Sequence, residues 1–194
     1  MAKKMKNVQN SRDIAQISLF AALMAAGAFV KIPLGSVPVT LQFFFCALAG
    51  VILGPKKAAL AELLYVLMGL MGLPVFTKGG GIGYIAQPTF GYIIGFIFAA
   101  FVIGKLFETF NSDLSRISFI KTYVSMLCGV LVIYAFGLPY LYCTYSFYLN
   151  SPKAVTWILY YGFLVTIPGD MIMAFFAATL AGRIVPALSR LSLK

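Results

Sequence analysis

The chain predicts an all-α integral membrane protein, one domain of six transmembrane helices, and three observations predict it. Of its 194 residues 61% are hydrophobic and 10% are charged, where soluble domains run at about 45–50% apolar and about 25% charged. Uncharged apolar runs recur along the whole chain, several near the ~17–25 residues that cross a bilayer as a helix. The formal charge of +10 comes from 15 Lys and Arg against 5 Asp and Glu, and the basic residues crowd into alternate connections.

The elements follow in order. Residues 1–13 are polar and basic, and residues 14–30 form an uncharged first span; its apolar run is longer than a signal peptide needs, and five more spans follow. Residues 31–40 carry two prolines and a glycine and cannot be continuous helix. A short second span covers 41–54 and closes at Gly54-Pro55-Lys56-Lys57. The third, 58–72, is interrupted only by Glu62. A glycine-rich break runs over 72–83, the fourth span over 84–104, a polar connection over 105–121 and the fifth span over 122–138. Residues 139–167 are aromatic and interrupted by Asn150-Ser151-Pro152, which predicts short or interfacial helices, since Tyr and Trp favour the headgroup level. The sixth span covers 169–188.

Six spans give alternating loops, and charge orients them. With the N-terminus inside, the cytoplasmic segments hold Lys3, Lys4, Lys6, Arg12, Lys56, Lys57, Lys105, Arg116, Lys121, Arg183, Arg190 and Lys194; the outer ones hold Lys31, Lys78 and Lys153. That is a strong positive-inside bias, with both termini cytoplasmic. The net charge is a topology signal and not a nucleic-acid footprint, because no basic cluster with interleaved aromatics occurs. The same map gathers the proline segment, the glycine break and the aromatic stretch at the outer face. Backbone that leaves helix at membrane depth must be buried in protein or line a cavity.

Several chemistries are excluded. The three cysteines are scattered and histidine is absent, so zinc sites and Cys–His or Ser–His catalysis have no residues to build on. No P-loop is present, and no cofactor is implied. Uphill movement of a solute would draw on a gradient or on a partner. No internal repeat is visible, which counts against a self-sufficient carrier with inverted repeats.

Asp170 is the residue of greatest interest. Sixteen uncharged residues precede it and twelve follow. A charge at the centre of a membrane helix costs roughly 2.5–3.5 kcal/mol, so one that persists has a partner or a task. Pro168 and Gly169 just before it read as a break and a fresh helix start, which would put the acid in the first turn, facing the positive end of the dipole. It is either a helix-start residue or a ligand-binding one, and the surrounding outer loops favour the second. Glu62 is explained by snorkelling to the inner surface or by pairing with a lysine. Ser18, Ala22 and Ala26, with Ala21 and Ala25 beside them, let a helix approach closely, inside the bundle or from a second protein. Gly79, Gly80, Gly81 and Gly83 read as a lid, and Phe76, Tyr84 and Tyr92 as candidate pocket aromatics.

Five stretches together resemble the BioY family, the biotin-binding S components of the energy-coupling factor (ECF) transporters. They are IPLGSVPVTLQ (32–42), LAGVILGPKKAAL (48–60), MGLPVF (71–76), PTFGYIIGF (88–96) and PGD (168–170). The resemblance implies an S-component-like bundle of six helices with an outward pocket. It also implies partners: a membrane scaffold protein and two cytoplasmic ATPases. Small residues of the first helix, Ala21, Ala22, Ala25 and Ala26, would dock on the scaffold. Two departures stand out: Met173 where the family commonly has lysine, and Phe90 within Gln87-Pro88-Thr89-Phe90-Gly91-Tyr92 where it often has glycine.

The chemistry suits biotin. An ionised Asp170 can accept its ureido N–H groups, and Gln42 and Thr40 can meet the ureido carbonyl. Phe76, Tyr84 and Tyr92 would wall the apolar rings, and Lys78 with Gly80 would face the ligand carboxylate. An S component for another small vitamin, and an ion-coupled carrier that titrates Asp170, are the alternatives. An aspartyl protease would need a second nearby carboxylate, and Glu62 lies toward the other face.

Overall fold

Among the described residues, six helices of twelve residues or more form the body of the protein, known from a computed structural model. It describes residues 2–33, 37–111, 113–114 and 116–192, with backbone only for 2–10 and 191–192. The expectations resting on Leu34, Gly35 and Ser36, on the side chains of Lys3, Lys4 and Lys6, and on Lys194 lie outside the described residues.

Helix α1 (Ala2–Phe29) starts well before its apolar stretch. Ala21, Met24 and Ala28 are fully buried on one face, while Ser18, Ala22 and Ala26 point outward on another. The proline segment after it is pinned by a two-residue hairpin, β1 (Lys31–Ile32) against β2 (Val39–Thr40). Helix α2 (Gln42–Leu53) and helix α3 (Pro55–Leu70) are joined by Gly54 alone. Gly54 has φ +77°, and a Cβ there would come within 2.8 Å of a Glu108 carboxylate oxygen. Pro55 opens α3 where no intrahelical N–H is required.

The segment after α3 folds back on the helix it leaves. The Gly81 N–H donates to the Gly69 carbonyl at 2.7 Å, and the Phe76 ring fills the space over Gly69, where a Cβ would sit 2.0 Å from a ring carbon. A single 3-10 turn (Ile82–Ala86) leads into helix α4 (Phe90–Phe110). The fourth span therefore begins at Phe90 and not at Tyr84, because the glycines and Pro88 hold residues 79–89 out of α-helix.

Helix α4 packs on helix α5 (Phe119–Cys143) through small residues. A Cβ on Gly95 would lie 2.9 Å from the Ile133 Cα, and one on Gly137 would strike the Tyr92 ring at 2.4 Å. Small residues are what allow such approach when no hydrophobic drive separates helix from lipid. The fifth helix passes straight through Pro139 and continues into a π turn at Thr144–Tyr148. The expected end at Leu138 does not occur. The Thr144 hydroxyl bonds the Tyr140 carbonyl, one turn back, at 2.8 Å where the helix passes into the π turn.

The stretch expected to hold short interfacial helices is instead largely continuous with the last helix. Helix α6 (Val155–Leu159) runs into a π turn (Tyr160–Leu164), a two-residue turn and helix α7 (Ile167–Ser192). Four helical stretches, Ser11–Phe29, Phe90–Phe110, Phe119–Tyr148 and Val155–Arg190, are long and apolar enough to cross a membrane. Helices α2 and α3, with 12 and 16 residues, are shorter, so length supports four crossings among the described residues and not six. The outward faces carry large apolar side chains such as Leu131, 61% exposed, and Phe176, 57% exposed. On so apolar a chain these are suited to lipid and not to water.

Candidate functional site

One cavity lies where β2, α2, α4, α5 and the start of α7 converge, with about 580 Å³ of space counted out to its mouth. Its walls are mostly apolar, with Val39, Phe43, Ile93, Phe96 and Ile133 contributing. Strand β2 meets the start of α7 here, since a Cβ on Gly169 would lie 2.7 Å from a Val39 methyl group.

The polar groups form two clusters. In the first, the Thr40 hydroxyl donates to Gln42 Oε1 at 3.1 Å, and Gln42 Nε2 donates to the Tyr65 hydroxyl at 2.8 Å. Tyr65 passes its own proton to the Val75 carbonyl at 3.2 Å. An amide carries two N–H donors, so Gln42 keeps one for the cavity.

The second cluster surrounds Asp170, which sits in the first turn of α7, as its Pro-Gly prelude predicted. The Tyr134 hydroxyl donates to Asp170 Oδ2 at 2.5 Å, and Thr166 Oγ1 lies 2.8 Å from the Tyr134 oxygen. The Tyr92 hydroxyl donates to the Gly162 carbonyl at 2.9 Å. No hydrogen bond among the described residues engages Asp170 Oδ1, and the residue lines the cavity.

Of the residues singled out from sequence, Asp170, Gln42, Thr40 and Tyr92 line this cavity together. Phe76 and Tyr84 do not. They pack against one another, with ring centroids 4.5 Å apart and the planes tilted by 45°, and Tyr84 shares a hydrogen bond with Thr77. Lys78 and Gly80 are exposed on the loop and are not among the lining residues. The small-residue set divides: Ala21 is in the core, Ala25 is half-buried, and Ala22 and Ala26 are exposed. Glu62 neither snorkels nor meets a lysine. It is fully buried with both oxygens unpartnered, and Lys57 pairs with Asp13 instead.

Sequence reasoning missed Tyr134 and Thr166. Thr166 stands one helical turn before Asp170. Tyr134 is the one side chain with a hydroxyl in the apolar run 130–139, and a buried tyrosine hydroxyl has to find a partner.

The model of the BioY family matches residues 1–190. The chain is 44% identical over 176 residues to a "Probable biotin transporter BioY" of Lysinibacillus sphaericus, covering 91% of this chain and 88% of that one. It is 39% identical over 174 residues to a "Biotin transporter BioY" of Thermotoga maritima, covering 89% and 95%. Its fold is similar to the crystal structure of the S-component for biotin from an ECF-type ABC transporter, with a TM-score of 0.79, 28% identity and 92% and 93% coverage. The chain belongs to the BioY family, whose members are transport proteins and not enzymes.

Proposed function

We propose that this protein is the substrate-capture subunit of an ECF-type vitamin importer, that it binds biotin from the outer side of the bacterial cell membrane, and that it delivers the vitamin when docked to an energising module. The observation that carries the reading is the acid in the apolar cavity: Asp170 lines it, with Oδ2 held by Tyr134 and Oδ1 in no hydrogen bond among the described residues. A cyclic urea presents N–H donors that such an oxygen accepts, and hydrogen bonds to a charged group are worth about 1.5–3 kcal/mol each. The free N–H of Gln42 suits the ureido carbonyl, and Phe43, Phe96 and Tyr92 suit the fused rings and chain. Lys78 and Gly80, on the exposed loop, are the groups proposed to meet the ligand carboxylate. The names of the relatives, biotin transporters among them, point the same way.

In this reading all six long helices cross the membrane. Helices α2 and α3 make up their length with the non-helical segments that follow α1 and α3, and both termini are cytoplasmic by the distribution of basic residues. The exposed Ser18, Ala22 and Ala26 stripe of α1 is the docking face for a membrane scaffold protein, which two cytoplasmic ATPases drive. The test is equilibrium binding of the purified chain against a panel of vitamins, with biotin expected to bind far more tightly than the rest. Preferential binding of a different vitamin overturns the substrate. Uptake that survives ATP depletion and collapses with the proton gradient overturns the importer and favours a carrier that titrates Asp170.

A further inference from the structure

The hydroxyl protons around Asp170 can be counted one by one. Tyr134 has a single proton and gives it to Asp170 Oδ2 at 2.5 Å. Tyr92 gives its own to the Gly162 carbonyl at 2.9 Å. Thr166 has three acceptors in reach, the Tyr134 oxygen at 2.8 Å and the carbonyls of Phe163 and Gly162 at 3.1 and 3.2 Å, so its proton is also committed within the protein. Every side-chain donor of the cluster is therefore spent. What it offers to a ligand is the lone pairs of Asp170 Oδ1.

The tyrosine that completes this arrangement is held by packing and not by its hydrogen bonds alone. Tyr134 is 3% exposed. Its ring meets the Phe163 ring edge-on at 4.9 Å and the Tyr92 ring edge-on at 6.0 Å. The hydroxyl is thus delivered to one place by α5, while the carboxylate comes from α7. The contact engages Oδ2 and leaves Oδ1 without a hydrogen bond among the described residues.

We propose that Tyr134 is a positioning and specificity-determining residue: by committing its only proton to Asp170 Oδ2 it aims Oδ1 into the cavity and leaves the Asp170 cluster without a free side-chain donor, so that this end of the cavity accepts ligands presenting N–H groups and rejects those presenting a lone pair at the same place. This rests on the reading of Asp170 as the acceptor for the ligand's ring N–H. A ring oxygen placed against Oδ1 sets lone pair against lone pair, and the hydroxyl protons of the cluster are already given to Oδ2 and to acceptors within the protein. Sites built to hydrogen-bond a donor discriminate strongly against analogues that lack it, because the buried partner is left unpaired.

The experiment is isothermal titration of the purified full chain with biotin and with a carbamate analogue in which one ring N–H is replaced by oxygen. It is run on the parent, Tyr134→Phe, Asp170→Asn and the double variant, each with a thermal melt. Tyr134→Phe keeps the ring and removes only the hydroxyl. It should weaken biotin by about ten- to thirtyfold and shrink the preference for biotin over the carbamate at least about tenfold, since a freed carboxyl can rotate or donate. In the Asp170→Asn background the same change should cost almost nothing more, because Tyr134 acts through Asp170. A purely structural tie between α5 and α7 would lower the melting temperature and weaken both ligands alike, and that result overturns the proposal. So does additivity in the double variant. The parent arm decides independently of any variant that fails to fold: carbamate binding within about threefold of biotin means that the cluster does not select donors. A parent that binds no biotin at all overturns the biotin reading itself, and this inference with it.

Discussion

The two oxygens of Asp170 have separate tasks, and Asp170→Asn sets them against each other. Oδ2 accepts the Tyr134 proton at 2.5 Å, and Oδ1 of this cavity-lining residue is in no hydrogen bond among the described residues. The asparagine amide has one oxygen and one NH2. If the oxygen stays with Tyr134, the NH2 meets the ligand N–H donor against donor; if the amide turns over, the NH2 takes up the Tyr134 oxygen and the Tyr134 proton has to turn to Thr166 Oγ1, 2.8 Å away. Either way one charge-assisted bond is lost, worth about 1.5–3 kcal/mol, and the first arrangement also leaves a buried donor unpaired. Together these give about 2–4 kcal/mol, or roughly a 30- to 700-fold rise in Kd at about 1.4 kcal/mol per tenfold. The acid also faces the positive end of the α7 dipole, a term of about 0.3–1 kcal/mol in stability that does not depend on ligand. Isothermal titration on monodisperse protein, with a parallel melt, separates the two. If Asp170→Asn binds biotin as the parent does and only melts earlier, Asp170 is a helix-start residue and the reasoning about the cavity fails.

Three further outcomes are expected. Ala22→Leu with Ala26→Leu adds bulk to the outward face of α1, so it should abolish biotin uptake while leaving binding by the isolated protein unchanged; lost binding with intact assembly would make the stripe internal packing. In a background without native cysteines, a cysteine at position 78 should label from outside intact cells and one at position 57 should not, and the reverse pattern overturns the orientation. Glu62 is fully buried with both oxygens unpartnered and lies off the cavity, so Glu62→Met should remove an uncompensated desolvation cost of about 1–3 kcal/mol. The melting temperature should then rise by about 2–4 °C per kcal/mol, and a fall would mean that the carboxyl supports the fold.

Some of this was legible in the sequence for local reasons. Asp170 stood out because an acid in an apolar run after Pro168 and Gly169 is expensive, and its placement in the first turn of α7 follows from that tripeptide alone. Tyr134 did not stand out, because its partner is 36 positions away on another helix and nothing near it in sequence signals the pairing. Phe76 was recognisable as an aromatic beside a glycine loop, yet its ring is consumed by the space over Gly69, seven positions earlier. Pro139 reads as a stop in the sequence because proline ends helices in water. Inside the apolar bundle the helix carries on through it, since packed neighbours hold the helix together at the cost of one backbone bond.

The irregular helix before Asp170 is what makes the cluster possible. In a regular α-helix the Gly162 carbonyl would accept the N–H of Thr166, four residues on. After the π turn at Tyr160–Leu164 the Thr166 N–H bonds Phe163 instead, at 3.1 Å. The released Gly162 carbonyl then receives the Tyr92 hydroxyl at 2.9 Å and lies 3.2 Å from Thr166 Oγ1. Gly162 must be glycine for this, since a Cβ there would lie 2.8 Å from the Tyr92 hydroxyl oxygen. Two residues later Pro168 brings no N–H of its own, so α7 starts afresh and its first turn opens toward Tyr134. A single displaced backbone hydrogen bond thus ties α4 to the segment before α7, and the Tyr134 hydroxyl ties α5 to α7 itself. An acid carried on an unbroken helix would have had neither the acceptor for Tyr92 nor a carboxylate with one oxygen held and the other free.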